Sequence, residues 1–97
     1  TTTATAVATV PVGIYQLLGV SLNGITTETV SVYPSLDGGA TFETFAILPF
    51  DATTGKPVAQ AAMGAGVYYI DIRPFTHIRF VKSAAVQTLD MLTTFYG

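Results

Sequence analysis

Ninety-seven residues make one domain, with no length left for a second. Cysteine is absent, which excludes a disulfide scaffold, a thiolate zinc site and a cysteine nucleophile, and a net charge of −2 with four Lys and Arg argues against a phosphate-binding surface. Charged residues are 10% of the chain against a usual value of about 25%, while apolar residues reach 49%; so sparse a charge covering points to a subunit packed against other protein.

In chain order, residues 1–10 come first, Thr or Ala at eight of ten positions. They lack the basic start and compact apolar stretch of a secretory signal. With little apolar area to offset ordering entropy, they read as an extended arm ordered by a partner through strand addition. Its contact candidates are Thr3, Thr5, Val7 and Val10. Residues 14–22 are apolar on both faces, as a central strand is. Asn23-Gly24 is the strongest short-range hairpin signal and predicts pairing of that strand with Ile25–Tyr33, whose Glu28, Val30 and Val32 share one face. Asp37-Gly38-Gly39 requires at least one glycine at positive φ and turns the chain into a strand over Thr41–Leu48. Asp51-Ala-Thr-Thr-Gly55 has a turn-like spacing of oxygens but lacks the Asp-x-Asp-x-Asp-Gly pattern of a calcium loop, so an Asx-type turn is expected.

Val58–Met63 is compatible with a helix but too short to matter. Val67–Ile72 and His77–Ser83 flank Arg73-Pro74, a corner because proline cannot donate to a ladder. The last strand is Val86–Tyr96. Seven or eight short strands with this punctuation, and no capped apolar helical stripe, predict an all-β fold. It is a single antiparallel β-sandwich over 1–97, jelly-roll-like or immunoglobulin-like, with an extended N-terminal arm. No apolar run approaches the ~20 residues of a bilayer-spanning helix.

Catalysis needs convergent polar groups, and they are not gathered here. One histidine without cysteine cannot build the usual zinc sets, and His77 lies in an alternating strand pattern. No cofactor is expected: Gly64-Ala-Gly66 precedes a strand instead of opening a helix, which rules out a phosphate-binding fingerprint. The polar set that stands out is Tyr69, Asp71 and Arg73 on one face of a strand, with Arg79 on the next. These arginines either pair with Asp71 across the sheet or anchor a neighbouring subunit. Phenylalanines are mostly core, whereas Tyr15, Tyr33 and Tyr96 are candidates for an interface or a sugar-stacking platform.

Ser35-Leu-Asp-Gly-Gly-Ala-Thr-Phe42 resembles the S-x-D-G-G-x-T-[WF] hairpin of small β-sandwich proteins of tailed-bacteriophage virions. Gly66-Val-Tyr-Tyr-Ile-Asp-Ile-Arg-Pro-Phe-Thr-His-Ile-Arg-Phe-Val81 is similar to the segment that follows it there. Phe42 stands where tryptophan is common, and no coiled-coil or collagen-like stalk accompanies it, which favours a compact surface subunit over a long fibre. The resemblance implies a non-enzymatic virion protein of the head decoration or cement type. Its partners would be the major capsid protein or other virion proteins, and it would cluster as a homo-oligomer, a trimer being favoured, with no nucleic acid and no membrane bound. A carbohydrate- or surface-binding module of a fibre, tail or cell wall is the alternative.

Overall fold

The computed structural model describes residues 5–97. Seven strands are found among them: β1 (Ala6–Pro11), β2 (Leu17–Asn23), β3 (Val30–Ser35), β4 (Phe50–Asp51), β5 (Gly66–Asp71), β6 (His77–Lys82) and β7 (Asp90–Tyr96). A single 3-10 turn, Ala59–Ala61, is the only helical piece among these residues. The strands form two antiparallel sheets, β1-β6-β3 and β4-β5-β2-β7. Only the β4–β5 connection stays within one sheet; every other one passes between them. That alternation is the winding of a jelly roll, and it separates the two sandwich types open from the sequence.

Period-two patterning builds the core. Leu18, Val20 and Leu22 of β2 and Tyr68 and Ile70 of β5 point inward from one sheet, Val30 and Val32 of β3 and Ile78 and Phe80 of β6 from the other. Each large side chain buried this way contributes about 1.5–3 kcal/mol. Val12, Ile25, Met63, Ile72 and Leu89 close the ends from the loops.

Four expectations are corrected. The arm is the first: Ala6–Pro11 pairs with β6 of its own domain, from Ala6↔Val81 to Pro11↔His77. A bulge between Ala6 and Ala8 inserts one extra residue, so Val7, Ala8 and Val10 all pack against the core despite the poor alternation. Val7 and Val10 are therefore core-facing and not partner-facing; Thr3 lies outside the described residues.

Asn23-Gly24 does turn the chain, with Gly24 at φ 88°, but β2 and β3 lie in different sheets. The amide oxygen of Gln87 accepts the backbone N–H groups of Thr26, Thr27 and Glu28 at 2.8, 3.1 and 3.0 Å, so the donors a hairpin would have used are satisfied elsewhere. Val86–Tyr96 loses its first residues for a similar reason: the Glu28 carboxylate takes the N–H groups of Val86 and Gln87, and β7 starts at Asp90. Thr41–Leu48 is not a regular strand. It runs beside β3 with two backbone bonds, Glu43 N–H to Pro34 O at 2.8 Å and Ile47 N–H to Val32 O at 2.7 Å.

These connections also decide which edges are covered. Residues 43–47 and Met63 bond to the outer side of β3, and Pro57 and Val58 bond beside β4. At the other edge of each sheet, β1 and β7 have no further backbone partner among the described residues.

Candidate functional site

The outer face of the four-stranded sheet is built from the residues left over when the core face is filled. Register places them in four rows: Asp71, Leu17 and Tyr96; then Phe50, Tyr69, Gly19 and Thr94; then Val67, Ser21 and Leu92; then Asn23 and Asp90. Gly19 has no side chain to cover the middle of the sheet, so a shallow trough runs there between Val67, Leu92, Thr94 and Tyr96. Leu92 is 74% exposed, and Val67 and Tyr96 are each more than half exposed. In these rows the charges are Asp71 and Asp90, and they stand at opposite ends. Such a face offers apolar area at little desolvation cost, as the buried centre of a protein–protein contact does.

Tyr69 is on this face as the strand alternation predicts, but its ring is stacked on Phe50 with centroids 5.4 Å apart and planes 8° apart. Arg73 is not an open anchor. Its Nε and Nη2 donate to the two oxygens of Asp71 at 3.1 and 2.9 Å, and both side chains are more than half exposed. The Arg73 fork holds the Asp71 carboxyl below its ordinary value. An exposed pair of this kind contributes only ~0.2–1 kcal/mol.

The outer face of the three-stranded sheet carries Arg79, flanked in register by Thr9 on β1 and Tyr33 on β3. The loop after β3 folds over it, and the guanidinium carbon lies 4.6 Å from the centroid of Phe42. The loop owes its shape to the Ser-x-Asp-Gly-Gly-x-Thr motif. Ser35 Oγ donates to Asp37 Oδ1 at 2.8 Å and accepts the Gly39 N–H at 3.0 Å. Asp37 also accepts the N–H of Thr41 at 2.9 Å together with its hydroxyl, and Gly38 N–H reaches Thr76 Oγ1 at 3.0 Å. Gly38 and Gly39 sit at φ 76° and 89°, as expected of this turn. The bonds from Thr41 and Ser35 stabilise the carboxylate and pull the Asp37 pKa down to about 2. The motif's polar groups are thus spent on one loop, whose product is the placement of Phe42.

A polar cluster that sequence reading missed sits at the end of the core. Lys82 continues the inward alternation of Ile78 and Phe80, and its Nζ donates to Glu28 Oε1 at 2.6 Å and to the Gln87 carbonyl. Burial pushes the Glu28 carboxyl up; Lys82 and the N–H groups of Gln87 and Val86 outweigh it and hold the group below its ordinary value. Glu28 and Lys82 both stand at inward parity, which was the available signal. The cluster is closed and ties the 24–29 and 83–88 loops together. Removing the Lys82 ammonium would strand the buried carboxylate at a cost of about 3–5 kcal/mol.

Other chemistry-bearing residues do not converge. Among the described residues no three His, Asp or Glu side chains are grouped to hold a metal ion, and no helix is long and apolar enough to cross a membrane. Asp51–Gly55 is the expected turn, with Thr53 N–H on Asp51 Oδ1 at 2.8 Å. Thr5 is exposed beside β6, its carbonyl accepting the Lys82 N–H at 2.8 Å.

The fold is a two-sheet antiparallel sandwich, and its resemblance to a solved structure agrees. The crystal structure of the SPBc2 prophage-derived protein YomS superposes with a TM-score of 0.70, covering 95% of this chain and 83% of that one, at 15% sequence identity. No protein-family model matches the chain, and no curated protein matches it in sequence.

Proposed function

We propose that this chain is a non-enzymatic structural subunit of a bacteriophage particle, most consistent with a decoration or cement protein that bridges capsid subunits. The observation that carries it is the outer face of the four-stranded sheet, apolar across its middle, troughed at Gly19 and with its charges, Asp71 and Asp90, at the two ends. The prophage origin of the structurally similar protein and the motif resemblance both support a phage setting. Burial of this face against a neighbouring subunit, repeated by a symmetric cluster such as a trimer, multiplies weak contacts through avidity. The glycan-binding alternative finds less support. Phe50 and Tyr69 stack on each other, which leaves Tyr96 as the open ring of that face.

Gly19→Val tests the proposal. A Cβ at Gly19 meets only the Thr94 carbonyl oxygen, at 3.8 Å, an ordinary contact, and Gly19 has no positive φ to lose. Val there fills the trough while favouring the strand, so the melting temperature stays the same or rises. The expected outcome is that wild type is found at a fixed copy number in gradient-purified particles and Gly19→Val is excluded from them. Incorporation of the variant at the wild-type level contradicts a role for this face, and absence of the wild type from particles contradicts the virion reading.

A further inference from the structure

Four side chains carry positive charge in this protein, and their partners differ. Lys82 is neutralised by Glu28 in the core, and Arg73 by Asp71 at the surface. Lys56 is exposed to solvent. Arg79 is neither paired nor free: it is half-buried in the centre strand of the three-stranded sheet, with no carboxylate within 4 Å among the described residues. Its Nε is buried with no acceptor among the described residues, whereas the terminal nitrogens are not among the buried unpartnered atoms. Two positions earlier on the same face, His77 Nδ1 is also buried without a partner, its ring against Gly39. Both unpartnered buried polar side-chain atoms of the described residues therefore lie on one face of β6.

A guanidinium in such a place has lost hydration at its Nε without receiving a counter-charge, which is costly unless something else supplies one. The guanidinium carbon lies over the Phe42 ring, which covers one side of the group and leaves its terminal edge as the part a partner can approach. We infer that Arg79 is a receptor for a single carboxylate side chain presented by a neighbouring protein subunit, with Phe42 as the clamp that pre-orients its fork. A fixed planar fork matches the two oxygens of a carboxylate. The absence of a second Lys or Arg on this face argues against a phosphate dianion or a nucleic-acid backbone, which are held by clusters of cations. A neighbouring subunit as the source rests on the assembly proposal above; the carboxylate chemistry does not.

Two measurements separate those claims. In the free protein, arginine side-chain NMR is followed during titration with sodium acetate at constant ionic strength. The Arg79 guanidinium signals are expected to shift saturably, Arg73 not, with inorganic phosphate giving a weaker response. No acetate response at Arg79, or the same response at Arg73, overturns the carboxylate site. In the second arm, wild type, Arg79→Gln and Arg79→Lys are added to particles lacking the chain. Both variants are expected to bind about tenfold or more weakly, Lys retaining the charge but losing the fork, with melting temperatures unchanged. Normal binding by Arg79→Gln overturns the neighbouring-subunit source even where acetate binds. If wild type itself binds no particle, the assembly proposal falls while the acetate titration still decides the chemistry of Arg79.

Discussion

Asp37 shows how much one side chain organises. It accepts from Ser35 and twice from Thr41, and these bonds close the loop that carries Phe42 over Arg79. With its folded pKa near 2 against an ordinary value of about 4, the ionised form is favoured by folding. That stabilisation is fully present above pH ~4 and is lost as the pH falls toward 2. Asp37→Ala is expected to lower the denaturant midpoint at pH 7 and to show a smaller further loss between pH 4 and 2 than wild type does. Glu28 and Asp71, whose pKa values are lowered too, supply the slope that remains. Parallel wild-type and variant curves across that window would show that the loop does not depend on the charge.

At the scale of elements, the strands whose apolar residues alternate cleanly were legible: β5 with Tyr68 and Ile70 inward, β6 with Ile78 and Phe80 inward. The positions that failed are those where a side chain captures backbone donors. Gln87 and Glu28, far along the chain from their partners, satisfy the N–H groups of 26–28 and 86–87. Local turn chemistry at Asn23-Gly24 cannot report such long-range bonds. The arm was misread because Ala and Thr bury little area and because a bulge disguised the inward set of β1. Val7, Ala8 and Val10 nonetheless cover Phe80 and Ile78 from the edge of the sheet. Deleting residues 1–9 therefore strips the partner of an inner strand and is expected to cost more than about 2 kcal/mol. A truncated protein with the wild-type melting temperature would restore the detachable arm.

For the whole molecule, the two sheets differ in what they leave uncovered. The loop from Leu36 to Ala46 shields part of the three-stranded sheet, whereas the four-stranded sheet keeps a bare face of Leu17, Val67, Leu92 and Tyr96. The sparse charge of the sequence points to such a face, but not to its place. Of its residues Tyr69 and Tyr96 stand out in the sequence as interface candidates, but Leu92 and Gly19 do not, because exposure at Leu92 or the gap at Gly19 depends on strand order. β1 and β7 are the open edges of their sheets, and β7 borders this face. Assembly through the face is the central claim, and a cryo-EM map of the intact particle, resolved well enough to trace the chain, tests it most directly. The expected map has the Gly19 trough filled by a side chain of a neighbouring subunit, and Leu92 and Tyr96 out of solvent. A map in which the four-stranded sheet faces solvent, or in which the chain has no density, would contradict it.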